Sequence, residues 1–134
     1  WAPTKVSAKW SYQPHWVEYI DPTNGTAKRI IAVPTARYEG NEDARGGFGA
    51  LQYDAVFSQI ESYNTDDRHP ILILLHHDGE NYGGGSESYY HSNWENFLNW
   101  LQSNSSRFEY TTVQDYLDMF PPDANDVVHT CPGS

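Results

Sequence analysis

The sequence is poor in cysteine, in methionine and in basic residues, and each shortage closes off a class of function. One cysteine in 134 residues, Cys131, excludes an internal disulfide and a thiolate metal cluster. Eight Lys and Arg stand against 18 Asp and Glu, a formal charge of −10. Such a surface repels a phosphate backbone, so nucleic acid is not an expected partner. No run reaches the roughly 18 to 20 apolar residues of a membrane span, and no basic stretch followed by an apolar one opens the chain, so no membrane partner is expected. Internal repeats, heptads and low-complexity tracts are missing too. The chain begins at Trp1, holds Met119 as its one methionine and stops at Pro132-Gly133-Ser134, from which we expect a piece of a longer polypeptide.

What is present is 38% hydrophobic residues, enough for one core, and a 15% aromatic share with 5 Trp and 10 Tyr. Flat rings with a polar edge suit sugar faces as well as cores, and most of these are expected to be core and rim. Residues 1 to 27 mix aromatics with prolines and read as loop with short extended pieces. Within them Asp21-Pro22-Thr23-Asn24-Gly25 is a turn signal. Arg29 to Val33 fits a short buried strand, and the polar, glycine-rich stretch from Arg37 to Gly47 reads as a long loop. Apolar steps through Phe48, Leu51, Ala55, Val56, Ile60 and Tyr63 predict a helix from about residue 48 to 62. Pro70 to Leu75 is a continuous apolar run, as a parallel strand covered on both faces would be. A second helix is expected from Tyr90 to about residue 102, a short strand at Phe108-Glu109-Tyr110, and a third helix over Thr112 to Met119 opened by a Thr111/Gln114 capping box. Asp126 to His129 reads as a last strand. Alternation of this kind predicts an α/β fold with a mainly parallel sheet and flanking helices.

In parallel α/β folds the working groups gather at the C-terminal ends of strands. Two segments qualify. The one after Val33 offers Arg37, Glu39, Asn41, Glu42, Asp43 and Arg45, and the one after Leu75 offers His76, His77, Asp78, Glu80 and Asn81. A carboxylate placed where a buried run ends is costly without a partner or a task, which makes Asp78 the leading candidate. If the strand continues, His76 and Asp78 share a face and His77 points the other way. Gly79 and Gly83 to Gly85 leave room for a bulky ligand, but no Walker or dinucleotide glycine spacing is present and no Lys or Arg accompanies them. The charged residues from Arg37 to Arg45 also suit a loop-bracing ion-pair network.

The run His77-Asp78-Gly79-Glu80-Asn81-Tyr82-Gly83 resembles the Asp-x-Glu stretch near the end of the catalytic domain in glycoside hydrolase family 57. Tyr89-Tyr90, Thr111-Thr112-Val113, Tyr116-Leu117 through Phe120-Pro121-Pro122, Val127-Val128-His129 and Asn41 to Gly47 are similar to members of that family as well. The resemblance implies that the 134 residues are a single fragment of such a domain, the last units of an incomplete (β/α)7 barrel. It implies a retaining α-glucan hydrolase or transglycosylase with Asp78 as general acid/base. His76, His77, Glu80, Arg37, Glu42 and Asp43 would then bind an oligo- or polysaccharide substrate, with no cofactor and no metal. A retaining mechanism needs a second carboxylate about 5 to 5.5 Å from the first. The family's nucleophilic glutamate would precede Trp1, and Glu39 and Glu42 do not sit in its motif. Alone, the chain is expected to be inactive and to need that missing N-terminal part or self-association.

Two other readings stay open. A metal-dependent polysaccharide deacetylase would use His76, His77 and Asp78 as ligands for an ion that activates water, although the spacing differs from theirs. A non-catalytic carbohydrate-binding or structural fragment would use the aromatic rings alone.

Overall fold

The computed structural model describes residues 8–36, 53–75 and 94–129. Helix α1 (Ala8–Tyr12) is followed by strand β1 (His15–Ile20) and strand β2 (Ala27–Ala32). The turn signal does what its residues dictate. Asp21 accepts from the Thr23 N–H through its carboxylate at 2.8 Å, the Gly25 N–H donates to the Asp21 carbonyl at 2.8 Å, and Gly25 takes a φ of 72°, a left-handed conformation that favours a residue without a Cβ. The chain therefore reverses and β1 and β2 pair as an antiparallel hairpin, from Ile20 opposite Ala27 to His15 opposite Ala32.

Strand β3 (Val127–His129) lies parallel to β1 on its other side, with Trp16 opposite Val127 and Glu18 opposite His129. The sheet order is β2-β1-β3. This corrects the expected fold class: among the described residues there is a small mixed sheet of three strands with four helices, not a mainly parallel sheet forming the last units of an incomplete (β/α)7 barrel. The physical reason is twofold. A hairpin forced by the Asp21–Gly25 turn makes the first pairing antiparallel and brings into the sheet a segment that reads as loop. The apolar run 71–75, expected as the central strand, joins no ladder among the described residues. The Leu72 N–H donates to the Tyr12 carbonyl at 2.8 Å, the Leu74 carbonyl accepts from the Ala36 N–H at 2.8 Å, and the Ile71 N–H goes to Asn64 Oδ1 at 2.9 Å. These are bonds to three separate segments. Nor is β2 the buried strand expected at 29–33, since it is an edge on which Ile30 is 69% exposed.

The core lies beside this run. Helix α2 (Tyr53–Glu61) contributes Phe57 and Ile60, and helix α3 (Trp94–Ser103) contributes Phe97. Ile71, Ile73 and Leu75, alternate residues of the run, pack against this cluster together with Trp100 and Phe108. Phe57 is the centre of the aromatic contacts, with ring centroids 6.0 Å from Phe97, 5.6 Å from Trp100 and 6.1 Å from Phe108. Of the expected stripes, Val56, Ile60, Phe97 and Leu101 face this core, whereas Ala55, Tyr63 and Leu98 are exposed. Helix α4 (Val113–Met119) is capped one residue later than expected. Thr112 Oγ1 accepts from the Asp115 N–H at 3.1 Å, while Gln114 turns to Asp118. The stretch 108–110 forms no strand.

Candidate functional site

The expected site residues Arg37, Glu42, Asp43, His76, His77, Asp78 and Glu80 lie outside the described residues, as do Glu39, Asn41, Arg45 and Asn81. What is described is how the chain leads into both polar segments. Arg37 follows Ala36 and His76 follows Leu75, and Ala36 is hydrogen-bonded to Leu74 at 2.8 Å. The described residues that precede the two segments are thus held together, although neither Ala36 nor Leu75 belongs to a strand of the sheet. Ala36 is 3% exposed and Leu72 is 9% exposed, so both are packed.

An open cavity of about 490 Å³ adjoins this place, lined by residues 71–75 and by Phe57, Phe97, Trp100, Phe108 and Tyr116. Its chemistry is mainly apolar, and several of its polar side chains serve the framework. Arg107 donates to Glu61 at 2.7 Å and to Asp54 at 2.9 Å, which holds the Glu61 carboxyl below its ordinary value. Asn64 accepts from the Ile71 N–H, and the Tyr116 hydroxyl donates to the Pro70 carbonyl. Burial, with the Asp66 charge second, pushes the Tyr116 phenol up to about 12, so it remains a donor at any ordinary pH.

Elsewhere among the described residues three histidines lie against carboxylates, none singled out as a site from the sequence. His15, 4% exposed, places Nδ1 2.9 Å from Asp126 Oδ2 and donates from Nε2 to the Lys9 carbonyl at 2.9 Å, joining α1, β1 and the start of β3. His129 Nδ1 lies 3.3 Å from Glu18 Oε1, and Arg29 Nε donates to Glu18 Oε2 at 2.6 Å. Those three residues stand opposite one another across β3, β1 and β2, a register that only the folded sheet reveals. His69 Nδ1 is 3.2 Å from Asp66 Oδ2, and the Arg68 N–H, followed by His69, keeps the Asp66 carboxyl below its usual range. Each contact joins parts of the framework, and among the described residues no group of three or more His, Cys, Asp or Glu is placed to hold a metal ion. No described helix is long and apolar enough to cross a membrane.

Comparison with known proteins gives one informative similarity. Over 122 residues, 90% of its length, the chain is 32% identical to an alpha-amylase of Niallia circulans. The chain is related in sequence to a segment of a glycoside hydrolase. It spans 9% of that amylase's own length. No protein-family model matches the chain, and no solved structure matches it.

Proposed function

We propose that this chain is part of the catalytic domain of a carbohydrate-active hydrolase of glycoside hydrolase family 57 type, acting on an α-glucan by a retaining mechanism as hydrolase or transglycosylase. The observation that carries its coarser part, a carbohydrate-active hydrolase, is the 122-residue similarity to the alpha-amylase, a stretch that takes in most of the chain. Two further points support it. The segment around His77-Asp78-Gly79-Glu80 resembles the family's acid/base motif, and the bond between Ala36 and Leu74 joins the described residues that precede the two polar segments.

In this reading Asp78 protonates the leaving glycosidic oxygen and then takes a proton from the incoming water or acceptor hydroxyl. His76, His77 and Glu80 on one segment, with Arg37, Glu42 and Asp43 on the other, bind the sugar hydroxyls. The attacking carboxylate comes from another part of the complete enzyme, and the 134 residues alone do not turn over substrate. An acid role also requires that Asp78 stay partly protonated at working pH, through burial or a nearby carboxylate such as Glu80.

The test is Asp78→Asn in the complete enzyme. The amide is nearly isosteric and carries no transferable acid proton, so turnover of α-glucan should fall by roughly two to four orders of magnitude, the usual contribution of a positioned acid or base. Retention of normal turnover on natural and activated glycosides would remove Asp78 from the mechanism. A stoichiometric ion held by His76, His77 or Asp78, with activity lost on chelation, would instead support the deacetylase reading.

A further inference from the structure

The β1–β2 hairpin tip carries Asn24-Gly25, a pair whose chemistry is distinct from anything in the proposed site. Asparagine followed by glycine is the dipeptide most open to intramolecular cyclisation, because no side chain on the second residue hinders the backbone nitrogen. Asn24 is exposed and Gly25 holds a φ of 72° with nothing within 4 Å of where a Cβ would stand, so sterics offer no protection. The reactive atoms are nevertheless occupied. Asn24 Nδ2 donates to Asp21 Oδ2 at 3.0 Å, and Asn24 Oδ1 accepts from the Thr26 N–H at 2.8 Å. The Gly25 N–H, the nucleophile in the cyclisation, donates to the Asp21 carbonyl at 2.8 Å. Asp21 itself is fixed by Thr23, whose N–H and hydroxyl donate to Oδ1 at 2.8 Å and 2.6 Å.

We propose that Asn24 is a spontaneous deamidation site held shut by Asp21. The reaction it restrains is balanced as follows. The Gly25 nitrogen, giving up its proton to solvent base, forms a bond to Asn24 Cγ, the Cγ–Nδ2 bond breaks, and the Nδ2 nitrogen takes up a proton from solvent and leaves as ammonia. Water then opens the five-membered imide at either carbonyl, leaving aspartate or isoaspartate at position 24. Attack requires the Asn24 amide plane to turn toward the Gly25 nitrogen, which breaks the bonds to Asp21 and Thr26, and it requires the Gly25 N–H to leave the Asp21 carbonyl. Asp21 thus restrains both partners at once, one through its side chain and one through its backbone. The hydrogen bonds from Thr23, followed by the smaller contribution of Asn24, hold the Asp21 carboxyl below its ordinary value, so it remains an acceptor through the neutral range in which cyclisation proceeds. Once converted to isoaspartate, the tip gains a backbone atom and a charge. The six-residue connection between Ile20 and Ala27 then no longer fits its register.

The test compares deamidation at Asn24, read as mass gain and isoaspartate formation in the peptide spanning the hairpin, in three samples held at neutral pH. These are the folded complete enzyme that contains this chain, its Asp21→Ala variant and a synthetic peptide of residues 20–27. The folded enzyme should react at least about tenfold more slowly than the peptide, since two or more hydrogen bonds must open first. Asp21→Ala should recover roughly fivefold or more of that difference, with circular dichroism showing that the sheet is retained. Asn24→Gln should abolish the signal and so locate it. A wild-type rate equal to that of the peptide would overturn the proposal, whether or not the variant folds. So would an Asp21→Ala rate equal to that of the wild type.

Discussion

Tyr116 on α4 donates its hydroxyl hydrogen to the carbonyl oxygen of Pro70, the residue just before the apolar run 71–75. Tyr116 is 3% exposed, so this bond fixes the end of the run that lies away from the polar segment after Leu75. Tyr116→Phe keeps the ring but leaves a carbonyl without its donor, and the expected cost is about 1–2 kcal/mol. Urea unfolding should show a lower midpoint with an unchanged slope. The phenol is raised to about 12 in the folded chain, chiefly by burial, from an ordinary value of 10.0. Its neutral form therefore contributes stability in full below pH 10.0, and that contribution is lost as pH rises through about 12. Phenolate absorbance should show one group titrating near the upper value in wild type and absent in Tyr116→Phe.

Glu18 is the polar residue at the centre of the sheet, 7% exposed, between Arg29 and His129. Truncating one partner of a wholly buried pair costs several kcal/mol because the other charge is stranded. Here the side chains left behind are 43% and 66% exposed and regain water. Glu18→Ala should therefore cost about 1–3 kcal/mol, and Glu18→Gln, which still accepts from Arg29, should cost less. Equal midpoints for the two variants in chemical denaturation would show that the hydrogen bond glutamine still accepts from Arg29 contributes nothing.

Phe57 touches three other rings and is 5% exposed. Phe57→Ala should destabilise by about 3–5 kcal/mol, more than either polar change, because the lost ring leaves a cavity that its neighbours fill incompletely. Calorimetry or urea unfolding decides the ranking. A loss below that of Glu18→Ala would move the centre of the core elsewhere.

Elements whose signal is local were legible in the residues alone. The 3.6-residue spacing of Val56 and Ile60 and of Phe97 and Leu101 marked α2 and α3, and Val127-Val128 marked β3. Elements defined by pairing were not. His15–Ile20 carries a histidine and a glutamate among its six residues, so its apolar pattern is broken, and it becomes a central strand only because a turn and a distant strand supply its partners. The helix cap slipped by one residue because Thr111 and Thr112 are both competent caps and the choice depends on where Asp115 sits. The two polar segments expected to form the candidate site lie outside the described residues. The bond between Ala36 and Leu74, which holds together the described residues before them, joins positions far apart in sequence and needed the fold.

The sheet order β2-β1-β3 also governs when the fold can form. The hairpin β1–β2 closes a loop of six residues, and as soon as both strands leave the ribosome it has everything it needs. Strand β3 is a different matter, since the residues that dock it, His15 and Asp126, are 111 positions apart. Bringing them together costs loop-closure entropy before any contact repays it, which slows folding of sheets built this way. Until β3 arrives, one edge of β1 is open, and the contacts of His15 with Asp126 and of Glu18 with His129 have still to form. The nascent chain therefore carries an exposed strand edge during synthesis, and association of unfinished chains through that edge is the failure to guard against during expression.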